Sequence, residues 1–292
     1  MILNRDLADF MLLVIFSSGC VICLLALLTI QRSHALHNSF GVICAFQMCA
    51  DLGLLSVTTI FSFLPTSLMP REDAPIAIFV GQFAEALYFF SGGLHVLFAI
   101  HRLILIVFPS KKEIWTKLTV PTILFVAFLS LMRSFIMQML DPRLFLKYNR
   151  NSMCWEITIT PSSMFYIKYF EVYWSISEFG LILLLDSFSL IRLHCQKKKM
   201  DTKKSKINGA IERLLVMQSF AQCIPTGTVV VLYFFVFPNL TDPFLMFVAS
   251  SFTWNAGNVM DGSIILIFHS RNLFKPKSFT TPVEASRTFT GN

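Results

Sequence analysis

The chain has 292 residues, of which 55% are hydrophobic and only 14% charged, with a mean hydropathy of +0.66. A soluble domain carries about 25% charged residues, and no globular core hides segment after segment of about 20 apolar residues, so a soluble protein is excluded. The net charge of +7 sits in links between apolar runs, as membrane topology requires, and does not point to nucleic acid.

Taken in order, the apolar runs predict seven transmembrane helices, an all-α bundle. The first covers about Phe10 to Ile30. No Lys/Arg-rich start or small-residue cleavage site precedes or follows it, so it is expected to stay as a helix and not to act as a signal peptide. The second runs from about Phe40 to Leu64, the third from Ile76 to Val107 and the fourth from Leu118 to Leu140. A polar stretch from Asp141 to Ser163 separates these from the fifth, Met164 to Leu190. After a basic segment from Arg192 to Arg213, the sixth reaches Phe237 and the seventh spans Phe244 to Phe268. The expected division is a bundle over 1–268 and a cytoplasmic tail over 269–292.

Orientation follows from Lys and Arg, which favour the cytoplasmic side. With the N-terminus outside and the C-terminus inside, 17 of the 24 fall on the inner side, eight of them between Arg192 and Arg213. The sequon Asn239-Leu240-Thr241 then lies outside, too near two spans to be expected to carry sugar. Of the seven cysteines, Cys154 alone occupies an outer loop. No disulfide framework or zinc spacing emerges, and no metal or cofactor is expected.

An ionisable side chain near mid-bilayer costs at least ~2.5 kcal/mol and needs a partner or a role. Asp51 in span two is read either as a polar or ion site facing the bundle or as a packing hydrogen bond. Asp261 in span seven, near Asn255, Asn258 and Ser263, invites the same two readings, and the acids together suggest a shared polar network. Glu171 and Glu178 stand seven residues apart, on one helical face, with Asp186 near that stripe. Glu85 in span three and Glu178 lie at depths where Arg133 of span four could pair with either. They are read as a pocket open to the outside, or as ion pairs between helices with Glu171 reaching to the interface. Pro225 interrupts span six, as a hinge or a static kink.

The end of span three reads His101-Arg102-Leu103, with Pro109 seven residues after Arg102. This resembles the Asp-Arg-Tyr region of rhodopsin-like receptors, and Cys49-Ala50-Asp51-Leu52 resembles their span-two region. The set is most similar to the nematode serpentine receptors of class x. It comprises Asn38 with Phe40-Gly41, Arg102 with Pro109, Cys154-Trp155, Leu185-Asp186, Glu212 with Gln218, and Trp254 with Asp261-Gly262, so the resemblance covers about Asn38 to Phe274. It implies a G-protein-coupled chemoreceptor for a small ligand at the outer face, in the plasma membrane and typically in sensory-neuron cilia. Arg102, with His101, Pro109 and Glu212, would form the G-protein switch, restrained near the inner end of span six. Asp51, Asn258 and Asp261 would form the connecting network, and Glu85 would stand at ligand depth.

The chain departs from the rhodopsin-like pattern at His101, which replaces the acid, and at Leu103, which replaces the aromatic. Span seven lacks Asn-Pro-x-x-Tyr. The outer end of span three has no cysteine, so no disulfide to Cys154 is expected. A transporter would show inverted repeats and a channel a filter or charged ring, and neither is visible. No nucleophile–base set suggests an enzyme.

Overall fold

The computed structural model describes residues 2–33, 36–64, 74–140, 145–157, 160–197, 217–218 and 220–269. Seven helical segments account for nearly all of them. Helix α1 covers Ile2–Arg32 and α2 Ser39–Phe63. The Asn38 side chain begins α2 by accepting hydrogen bonds from the amides of Phe40 and Gly41 at 2.9 and 3.2 Å, a cap for two otherwise unpaired donors.

Helix α3 is Pro75–Val107, with its proline where no amide is needed. Pro109 opens a single 3₁₀ turn, Pro109–Lys111, that leads straight into α4, Lys112–Leu140. A proline lacks the amide that would continue α3, so this residue sets the corner between the two helices.

The polar stretch after α4 contains an antiparallel hairpin, β1 (Leu146–Asn149) with β2 (Cys154–Ile157), its register running from Leu146 opposite Ile157 to Asn149 opposite Cys154. Sequence patterning gave no warning of these four-residue strands. The Leu146, Tyr148, Trp155 and Ile157 side chains are buried with Phe61, Ala77 and Ala84. Gly81 of α3 admits the hairpin backbone, since a Cβ there would overlap the Leu146 carbonyl. Arg150 donates to the Leu64 carbonyl at the end of α2. This end of the molecule is called the hairpin end below.

Helix α5 (161–197) starts from a reciprocal cap between Thr160 and Ser163, passes through a π turn at Ile167–Val172 and continues over Tyr173–Lys197. Helix α6 (Phe220–Asn239) runs unbroken through Pro225. It contains a π turn at Leu232–Val236. Helix α7 (243–269) is capped by Asp242 and carries a π turn at Val248–Phe252. All three π turns lie toward the hairpin end.

Among the described residues, five helices are long and apolar enough to cross a membrane by length and composition: α1, α2, α3, α4 and α6. Helices α5 and α7 carry Glu171, Glu178 and Asp186, and Asn255, Asn258 and Asp261, and so depend on the bundle to hide them. Helix α3 packs against α2, α4 and α5, while α7 packs against α1 and α2. Large side chains such as Phe10, Val21, Phe125, Leu184 and Ile267 face outward, the inverse of a soluble surface and the expected lining toward lipid.

Candidate functional site

Polar side chains gather at three levels inside the bundle. At the end away from the hairpin, Arg102 is 1% exposed, and its Nε and Nη2 both donate to Asp186 Oδ1 at 2.9 and 2.7 Å. Among the described residues its charged partner lies on α5, whereas the resemblance implied a contact near the inner end of span six. Asp186 sits two helical turns beyond Glu178 on the face turned to α3, where it supplies the neutralising charge. Glu212 lies outside the described residues. His101 accepts a 2.7 Å hydrogen bond at Nδ1 from the Trp115 indole of α4, and its ring lies 5.9 Å from that of Phe40. An indole N–H only donates, so this bond requires an unprotonated Nδ1. Nearby, His269 of α7 meets Gln218 Oε1, just ahead of α6, at 2.9 Å.

The middle level is a seam between α2, α3 and α7. Gln47 Nε2 donates to Asp51 Oδ1 at 2.9 Å and to Ser91 Oγ at 2.6 Å, and Ser91 Oγ lies 3.3 Å from the same carboxylate oxygen. One turn along α3, His95 Nε2 meets Asp261 Oδ2 at 3.2 Å. Thr58 donates to Asn255 Oδ1 at 2.8 Å. The two acids are therefore held by successive turns of α3. Asp51 Oδ2, Asp261 Oδ1 and Asn258 Nδ2 have no hydrogen-bond partner among the described residues.

Toward the hairpin end, Tyr166 donates to Glu85 Oε1 at 2.9 Å. Glu171, expected to reach to the interface, is instead 7% exposed. It lies in the π turn of α5, whose extra residue turns the preceding helix by about 100° relative to the rest. The Arg133 guanidinium stacks on two rings, 3.3 Å from the Phe89 centroid and 4.9 Å from that of Trp174. It forms no ion pair with Glu85 or Glu178 among the described residues. Cation–π attraction and electrostatic reach to Glu85, Glu171 and Glu178 take the place of direct pairing.

A cavity of about 70 Å³ opens between these levels, bounded by α2, α3, α5, α6 and α7. Its walls include Tyr88, His95, Glu178, Trp254, Asn258 and Asp261. Of the three residues expected at a ligand pocket, Glu178 lines it, while Glu85 and Arg133 stand closer to the hairpin end. Gly92 of α3 lets the Glu178 carboxylate approach, since a Cβ there would come within 3.0 Å of its Oε2.

Sequence reasoning overlooked Gln47, Ser91, His95, Trp115 and Tyr166. His95 carried a usable signal, as an ionisable group in an apolar span, and Gln47 precedes Asp51 by one helical turn. Trp115 and Tyr166 carried none, because only the packing of α4 and α5 against α3 brings them to their partners.

Apolar helices long enough to cross a membrane, packed around this buried polar interior, describe a multi-pass helical membrane protein. Residues 13–269 match the family described as serpentine type 7TM GPCR chemoreceptor Srx, and the chain belongs to that family. The fold is accordingly a seven-helix receptor bundle, and the family is one of chemoreceptors, not of enzymes. No curated protein matches the chain.

Proposed function

We propose that this chain is a chemosensory receptor that binds a small ligand in the cavity below the hairpin and signals to a heterotrimeric G protein at the Arg102 end. In this reading the N-terminus and the hairpin face outward, the 1–268 bundle spans the plasma membrane, sensory cilia included, and the 269–292 tail lies in the cytoplasm. One observation carries it: α3 and α5 both contribute to the cavity, through Tyr88, His95 and Glu178, and are clamped to each other lower down by Arg102 and Asp186. A ligand that alters the spacing of the two helices at the cavity bears directly on the clamp.

The clamp holds the resting arrangement. A ligand that binds better to an arrangement with α5 and α6 displaced shifts the population by that difference in affinity. Release of Asp186 then frees Arg102 to contact the G protein, and Pro225, which leaves one carbonyl of α6 without its helical donor, gives the inner half of α6 its freedom to swing. The test is a cell reporter with a promiscuous G protein, challenged with volatile and water-soluble odorants. Wild-type chain at the surface is expected to respond, and Arg102→Ala at equal surface level to be silent. A response indifferent to Arg102 would overturn the mechanism.

A further inference from the structure

The chemistry of the cavity specifies a class of ligand. Its walls hold two carboxylates, Glu178 and Asp261, and the rings of Tyr88 and Trp254, with no lysine or arginine among the described residues. His95 is the one basic group there among those residues, and it is committed to Asp261 Oδ2 at 3.2 Å. Arg133 is spent on Phe89 and Trp174, outside the lining. Asp261 is 4% exposed, yet its Oδ1 has no hydrogen-bond partner among the described residues.

A buried carboxylate oxygen without a donor is costly, and three kinds of occupant can be weighed against it. An anion would meet two carboxylates, and an uncharged apolar molecule would answer neither. A compact cation with N–H donors is drawn to both, and the rings of Tyr88 and Trp254 attract such a charge. Size restricts the choice further. About 70 Å³, at the roughly 10–15 Å³ that holds one water by the same measure, is room for about five water-sized groups, enough for an ammonium nitrogen bearing one to three methyl groups. It is well below the roughly 300 Å³ at which pockets for drug-sized ligands begin.

We propose that the cavity binds a small organic ammonium ion, its N–H directed at the Asp261 and Glu178 carboxylates and its methyl groups laid against Tyr88 and Trp254. This rests on the receptor reading of the cavity, but it is tested separately. The full chain, purified in detergent, is titrated with methylammonium and trimethylammonium chloride while its thermal unfolding midpoint is followed. Uncharged tert-butanol, sodium chloride and ammonium-free acetate serve as comparisons at equal concentration.

Saturable stabilisation by the two ammonium ions alone is expected, since a ligand bound only by the folded state raises the midpoint. Glu178→Gln should weaken the apparent Kd by about tenfold or more. Asp261→Asn should do the same, and Glu178→Gln, at a half-buried position, serves if Asp261→Asn does not fold. Equal stabilisation by tert-butanol or by sodium, or an affinity unchanged in Glu178→Gln, would overturn the proposal. Ammonium binding without any reporter response would refute the receptor reading and leave this one standing. A reporter response to uncharged odorants without ammonium binding would do the reverse.

Discussion

Asp186 neutralises Arg102 where neither side chain reaches water, so either residue alone is a liability. Asp186→Asn leaves a buried guanidinium without a counter-charge and is expected to destabilise the bundle by about 3–5 kcal/mol. Arg102→Met combined with Asp186→Leu, which removes both charges, should recover most of that loss, as read by thermal unfolding in detergent. A second expectation concerns the hairpin, where Cys154 is 0% exposed and donates to Ser152 Oγ at 2.9 Å. Burial pushes its thiol up to about 11, so the nucleophilic thiolate is absent near neutrality and forms only as the pH nears that value. Iodoacetamide at pH 8 should therefore alkylate the exposed Cys195 and spare Cys154, with labelling of Cys154 rising only in strong alkali. Peptide mass spectrometry reads both sites, and full labelling of Cys154 at pH 8 in folded protein would contradict its burial.

At the scale of elements, the hairpin is seated by shape, with every cysteine a free thiol. Gly81→Val drives a side chain into the Leu146 carbonyl and is expected to cost roughly 1–3 kcal/mol. It should also lift Trp155, which lies 5.4 Å from Phe61 and 5.6 Å from Tyr148, increasing its accessibility to acrylamide quenching. Unchanged quenching would mean that the hairpin does not rest on Gly81. These elements also separate what sequence can convey from what it cannot. Helix lengths follow from apolar runs, while the starts of α2, α5 and α7 are set in the structure by the caps Asn38, Thr160 and Asp242. The hairpin and the inward turn of Glu171 escaped notice because four-residue strands and one-residue π insertions leave no periodicity to detect. Asp186 was visible as a buried acid, but its pairing with Arg102 depends on the rotation of α5 against α3, which no local pattern encodes.

For the whole molecule, the bias of Lys and Arg toward one side predicts how the chain lies in the membrane. An epitope fused to the N-terminus should be labelled on intact cells, and one fused to the C-terminus only after permeabilisation; the opposite pattern would place the hairpin, and the cavity beneath it, inside the cell. The candidate site was legible in part for the same reason that the topology was. A charge in an apolar span announces itself, so Asp51, Glu178 and Asp261 stood out, and Arg102 by its motif, whereas the cavity that Glu178 and Asp261 line is a property of five helices at once.

The polarity of α7 bears on how the protein is made. It leaves the ribosome after α1–α6, and Asn255, Asn258 and Asp261 weaken its own partitioning into lipid. Its resting place lies against α1 and α2, both inserted before it, with His95 of α3 meeting Asp261. The expected consequence is that α1 and α2 must stay accessible until α7 arrives, and that integration of α7 requires them. A glycosylation-site insertion assay should show α7 poorly integrated when expressed alone and well integrated behind α1–α3, so that substitutions along the seam would reduce receptor yield at the stage of synthesis, before any ligand is met.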